Sequence, residues 1–372
     1  MNSLLDISSY GALNTHGLNN PSFSYSTGKQ AVCVSGTIAI PVLAPTVEIL
    51  YKGPSNNYDL TEFITAFVRR GSDTLATSIG GPSTVNSTFA IYTKLCVPVD
   101  AEKAQNLTSV QFLTHDAAAA KGYATFLYDR LGAGQSAHPD PWQDLQMSVQ
   151  KSIAHALVQK LKAGDIGGIT FRQVVGIGHS LGAALTQAVS SGYPSDFDAV
   201  ALSGHSAFFE GSGTGFAAAA QQIANTLPDR AELKGLPNGY FTLGPVLQTL
   251  QFAFFYYPHF DEKIFMKEFE TRQTNAIGET LTLGAQYTPT TFDKAVQILN
   301  GQQDYFYCQG DCLSGGGDVT ADALNIFYPE RDANKSEAIT ISKVGHNVNL
   351  HFARLEAFEQ ILSFISRAGI KP

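Results

Sequence analysis

Eleven residues constrain this chain more than any others: Val174-Val175-Gly176-Ile177-Gly178-His179-Ser180-Leu181-Gly182-Ala183-Ala184. An apolar, β-branched run stops at a glycine, and an alanine-rich helical run begins almost at once. A strand that reverses into a helix so quickly leaves no room for side chains beside the central residue. Glycine therefore stands at both flanking positions, 178 and 182. The spacing predicts that Ser180 occupies a strained backbone conformation that lifts its hydroxyl clear of a sheet. The N–H groups that follow, starting with Leu181, fall at a helix N-terminus and face any negative charge that develops there. This arrangement suits a serine that attacks a carbonyl.

The surrounding pattern supplies a sheet to hold that turn. Strands are expected at about 31–40, 46–51 and 89–97, after a polar, irregular arm over 1–28. The stretch 53–88 has no clear period and reads as a long surface excursion. From about 109 strands and helices alternate, which implies a parallel sheet. Expected strands are 110–114, 123–128, 171–178, 198–202, 295–299 and 338–342. A helix at about 144–162 carries Leu145, Val149, Ile153, Leu157 and Leu161 on one face, and another follows at 181–191. A closing helix over 350–367 places Phe352, Leu355, Phe358, Leu362 and Ile365 on one side. Between 206 and 290 strand signals fade, and Phe252, Phe254, Phe255, Tyr256, Tyr257 and Phe260 cluster. That segment reads as an inserted helical lid on a core formed by 1–205 and 291–372. One connection is awkward. Only 115–122 separates two strands expected to be parallel, whereas such a crossover normally takes about a dozen residues or more.

Composition narrows the class. The chain of 372 residues is 44% hydrophobic and 15% charged, with net charge −8, enough for one large core plus an insertion. Its basic residues are scattered, which argues against nucleic acid or an anionic membrane surface as a partner. No apolar run approaches about 18 residues, so no transmembrane helix is expected. Cys33 and Cys96 fall in two expected strands that could be adjacent, and Cys308 and Cys312 enclose a Gln-Gly-Asp turn. Sequons occur at Asn86, Asn106 and Asn334. Together these favour an oxidising, secretory environment, although Met1-Asn2-Ser3-Leu4-Leu5-Asp6 is not a signal peptide.

A serine hydroxyl needs a base within hydrogen-bond reach, and that base needs a carboxylate to hold its tautomer. In a doubly wound sheet such groups gather in loops at the carboxyl ends of strands. Asp304 follows the strand 295–299, and His346 follows the last strand behind Gly345. The order Ser180, Asp304, His346 is the one expected when Gly-x-Ser-x-Gly sits on such a sheet. Rivals are weaker: Asp311 lies inside the Cys308–Cys312 turn, Asp318 lies in a glycine-rich loop, and His351 opens the closing helix as a structural or surface histidine. Asp129 and Arg130 are expected to be architectural. His179, His115, Phe254 and Phe255 are expected to line an apolar pocket.

On these residues the chain resembles the α/β-hydrolase superfamily over most of 105–372. The resemblance rests on Gly178-His179-Ser180-Leu181-Gly182, the loop from Asp129 to Ser136, the Gly301-x-x-Asp304 turn and Gly345-His346. More narrowly it is similar to fungal secreted-type hydrolases, through His138-Pro139-Asp140-Pro141, the Cys308/Cys312 pair and Gly345-His346-Asn347-Val348-Asn349-Leu350-His351. The resemblance implies an α/β-hydrolase fold, mostly parallel sheet flanked by helices, with an N-terminal antiparallel β extension and an inserted lid. It implies a serine esterase or lactonase that acts on a hydrophobic small molecule without metal or cofactor. Its oxyanion hole would combine the N–H of Leu181 with a donor near Asp116 or Ala117. The departure is in that second donor: relatives carry a longer loop after the strand that here ends at Thr114. A non-catalytic small-molecule binding protein on the same fold is the competing expectation.

Overall fold

A computed structural model of the chain describes residues 13–100, 107–113 and 122–372. The expected N-terminal strands merge into one long hairpin. Strand β1 (Asn19–Tyr25) pairs antiparallel with β2 (Ala31–Ile49), and β2 pairs antiparallel with β3 (Ile79–Pro98) along nearly its full length. Three expectations change here. Part of the irregular arm is a strand. Pro41 and Pro45 do not interrupt β2, because β1 covers β2 only up to Thr37 and proline is tolerated on the edge beyond it. The stretch 53–88 is no loose excursion: it holds the helices Asn57–Val68 and Thr74–Ser78 and the first half of β3. Asn56 starts the longer helix by accepting hydrogen bonds from the N–H groups of Tyr58 (2.8 Å) and Asp59 (3.1 Å).

The remaining strands of the main sheet are β4 (Ser109–Leu113), β5 (Ala124–Tyr128), β6 (Gln173–His179), β7 (Ala199–Ser203), β11 (Ala295–Gly301) and β12 (Glu337–Ile341). Between β7 and β11 lie the short strands β8 (Gln222–Ile223), β9 (Tyr240–Thr242) and β10 (Asn275–Ala276), which form a separate antiparallel sheet. The main sheet runs β1-β2-β3-β5-β4-β6-β7-β11-β12. From β5 to β12 every neighbouring pair is parallel, including β4 with β5. The crossover between those two strands is therefore as short as the sequence requires. No helix among the described residues is long and apolar enough to cross a membrane.

The helix Met147–Ala163 buries Val149, Ile153, Leu157 and Leu161, as its four-residue period predicts. The last helix, Arg354–Arg367, departs from expectation. A turn at Val348–Leu350 and the buried His351 precede it, and its buried face carries Ala357, Phe364 and Ile365. Phe352 and Leu355 fall off that face and are 57% and 67% exposed.

The segment 206–290 combines the small sheet with the helices Ser212–Ala218, Leu247–Phe254, Glu262–Glu270 and Ile277–Thr282. It shares a hydrophobic core with the hairpin: Ile223, Phe241, Ile277 and Leu281 pack with Ile49, Leu60 and Phe63. The loop after β5 holds it from beneath. Arg130 pairs with the buried Glu279, and the Thr274 hydroxyl donates to the carbonyl of Gly132 (2.6 Å). Asp129 is architectural too, but its carboxylate accepts from the N–H of Gln135 (2.7 Å) and serves the loop itself.

Candidate active site

The turn after β6 has the conformation its sequence demands. Ser180 sits at φ 53° and ψ −120°, a region that L-residues rarely occupy, and its N–H is held by the carbonyl of Ser203 (2.9 Å). Such strain costs on the order of 1–3 kcal/mol and persists only where surrounding structure imposes it. Gly178 shows what imposes it. A Cβ there would lie 2.7 Å from the backbone of Ala183, so the helix Leu181–Gly192 packs against β6 with no side chain between them. The N–H of Leu181 is one of the four that a helix leaves without an intrahelical acceptor.

Three side chains from three loops meet in front of this turn. His346 Nε2 lies 2.7 Å from Ser180 Oγ, and His346 Nδ1 lies 2.7 Å from Asp304 Oδ2. Asp304 is 0% and His346 1% exposed, so the carboxylate–imidazole contact is shielded from water. The other oxygen of Asp304 caps the short helix Tyr305–Cys308 by accepting from the N–H of Tyr307 (3.1 Å). Two charge-assisted contacts on one carboxylate fix its orientation. The disulfide Cys308–Cys312 closes the same turn, and the Cys312 N–H reaches back to the carbonyl of Gln302 (2.8 Å). The other disulfide, Cys33–Cys96, joins directly opposed residues of β2 and β3.

The remaining expected residues divide. His179 packs behind the imidazole, with ring centroids 5.1 Å apart; its Nδ1 lies 3.1 Å from Ser203 Oγ and its Nε2 3.2 Å from Asn347 Oδ1. Phe254 flanks His346 at 5.6 Å. Phe255 is not brought to the site: its ring is buried among Phe260, Phe265 and His351. His115, Asp116 and Asn106 lie outside the described residues. Asn86 and Asn334 are exposed.

Sequence reasoning passed over several neighbours. Phe306 and Tyr307 hold rings 5.0 and 5.5 Å from His346, and Asn347 fixes His179. The available signal was position: Phe306 and Tyr307 come two and three residues after Asp304, and Asn347 follows His346 at once. His351 is the histidine read as structural or surface; it is fully buried, and burial pushes its pKa down to about 4.

A model of the alpha/beta hydrolase family matches residues 106–358. Solved structures with a similar chain path include a thermophilic esterase from Thermogutta terrifontis, with TM-score 0.50 and 10% identity over 76% of this chain and 94% of that chain. Another is 2-hydroxy-6-oxo-6-phenylhexa-2,4-dienoate hydrolase from Rhodococcus sp. strain RHA1, with TM-score 0.46 and 16% identity over 76% and 95%. A third is E-2-(acetamidomethylene)succinate hydrolase, with TM-score 0.46 and 14% identity over 75% and 96%. At such identities the likeness concerns the fold alone. No curated protein sequence matches the chain.

Proposed function

Because the chain belongs to the α/β-hydrolase family, we propose that it is a serine hydrolase that cleaves a carboxylic ester or lactone of a hydrophobic small molecule. The observation that carries the reading is the unbroken relay Ser180 Oγ–His346 Nε2 and His346 Nδ1–Asp304 Oδ2, with both contacts at 2.7 Å. Ser180 attacks the carbonyl while His346 Nε2 takes its proton. Asp304 keeps the other ring nitrogen protonated and stabilises the imidazolium. The oxyanion of the tetrahedral intermediate is received by the N–H of Leu181 and a second donor assigned to Asp116. Collapse breaks the ester bond, and the leaving alkoxide takes the proton from His346. The acyl-enzyme is then hydrolysed by a water that His346 deprotonates. None of these steps calls on a cofactor or metal.

The segment 206–290 serves in this reading as the cap over an apolar pocket, with Phe254 on the wall beside His346. Secretion is the matching location, supported by the two disulfides and by exposed sequons at Asn86 and Asn334. It also fits the closer resemblance to fungal secreted-type hydrolases. A second reading, a binding protein on the same fold, draws on the few residues that the sequence leaves between β4 and β5. That connection would supply the second oxyanion donor, and loss of one such donor costs roughly 100- to 1,000-fold in rate.

A panel of p-nitrophenyl esters of increasing acyl length, run on the unaltered protein and on Ser180→Ala, separates the two. Turnover that rises with chain length and disappears in Ser180→Ala supports the hydrolase. A folded protein that turns over none of the esters supports the binding reading.

A further inference from the structure

Besides the imidazole facing Ser180, a second buried imidazole stands five residues on, and three backbone groups converge on it. His351 Nδ1 lies 2.8 Å from the carbonyl oxygen of Asn347, which can only accept, so Nδ1 carries the proton. The lone pair is then on Nε2, and two N–H groups donate to it: Gly345 at 3.1 Å and Tyr256 at 3.0 Å. The two donors come from different parts of the chain. Gly345 immediately precedes His346. Tyr256 lies just past the helix Leu247–Phe254, in the inserted segment.

The same seam is closed on both sides of that nitrogen. The N–H of Asn347 donates to the carbonyl of Phe254 (3.0 Å), and the N–H of Phe352 donates to the carbonyl of His259 (2.9 Å). Gly345 permits the approach: a Cβ there would lie 3.0 Å from both the Phe254 carbonyl oxygen and the Tyr256 nitrogen. The ring itself stacks on Phe255 at 5.4 Å and meets Phe260 edge-on at 6.2 Å. A protonated imidazole has no lone pair for either donor, and burial, reinforced by His259, keeps this one neutral, with its pKa pushed down to about 4.

We propose that His351 is a positioning residue for His346: as a neutral Nδ1–H imidazole it clamps the Gly345–His346 turn to the inserted segment and so sets the reach of His346 to Ser180. The claim rests on the serine hydrolase reading. It predicts a loss in turnover rather than in substrate affinity, because a displaced base slows proton transfer while the pocket wall stays in place.

The test compares His351→Phe, which keeps the stacked ring and removes the acceptor, with His351→Gln, which restores an amide oxygen and an N–H donor. With p-nitrophenyl butyrate, kcat of His351→Phe is expected to fall about 10- to 100-fold with KM within about 2-fold, and His351→Gln to recover to within about 3-fold of the unaltered protein. Equal losses in both variants, or no loss in either, overturn the proposal. Ser180→Ala in the same assay keeps the two claims apart. If it turns over like the unaltered protein, the hydrolase reading fails. If it is inactive while His351→Phe retains full kcat, only the positioning claim fails. A measurement on the unaltered chain stands even if His351→Phe does not fold. In histidine-selective ¹⁵N NMR, His351 is expected as the Nδ1–H tautomer throughout about pH 5.5 to 8, and an Nε2–H tautomer or an ordinary titration near 6.5 overturns the proposal.

Discussion

At one end of the main sheet β2 and β3 run antiparallel over Ala31–Ile49, tied by a buried disulfide between opposed residues. At the other end β6, β11 and β12 run parallel and stop at loops that bring Ser180, Asp304 and His346 together. Each end carries one disulfide, but the enclosed loops differ greatly. Cys33 and Cys96 are 63 positions apart, whereas Cys308 and Cys312 are 4 apart, beside Asp304. The long loop removes far more freedom from the unfolded chain than the short one. The short one restrains the carboxylate turn locally. The same bond thus serves stability at one end and geometry at the other.

The largest effect expected at the parallel end is from Asp304→Asn. It preserves shape but removes the charge that holds the imidazole tautomer, so kcat should fall on the order of 10⁴-fold with the circular dichroism spectrum unchanged. A loss of fold instead would show that Asp304 belongs to the structural half of the comparison. Next comes the antiparallel end. Replacing Cys33 and Cys96 with serine should lower unfolding free energy by about 4 kcal/mol, read by urea denaturation, with kcat of the folded fraction within about 2-fold. The corresponding change at Cys308 and Cys312 should cost about 2 kcal/mol and yet lower kcat by about 10-fold. Reversed activity effects for the two pairs would break the comparison.

The smallest effect concerns pH. Burial lowers the pKa of His205 to about 3 and that of His351 to about 4, both in the parallel half. The unfolded chain therefore takes up these protons first as pH falls. The two groups contribute stability that is fully present above about pH 6.5 and is lost on the way down to about 4 and 3. Thermal melting points measured across that window should fall less steeply for His205→Gln than for the unaltered protein. An unchanged slope would remove His205 from the account.

Legibility in the sequence follows the same division. The parallel half was readable because its signals are local: the glycine-flanked turn at Ser180, the four-residue period of Met147–Ala163, and an acid and a histidine placed after late strands. The antiparallel half was harder. Pro41 and Pro45 look like strand ends until it is known that β2 is an edge there, and the helix Asn57–Val68 buries only Leu60 and Phe63. The segment 206–290 breaks the strand–helix rhythm in the sequence, but its small sheet leaves no signal there, since β8, β9 and β10 span two or three residues each. Within the site, the seam around His351 was invisible because its partners are backbone groups contributed by distant segments. No side-chain pattern records them.

The central claim is that Ser180 is a nucleophile activated by His346. Intact-mass measurement after incubation with a fluorophosphonate tests it most directly. The expected result is a single adduct that maps to Ser180 and is absent from His346→Ala. A folded, unaltered protein that takes up no adduct, or takes it up at another residue, would contradict the claim.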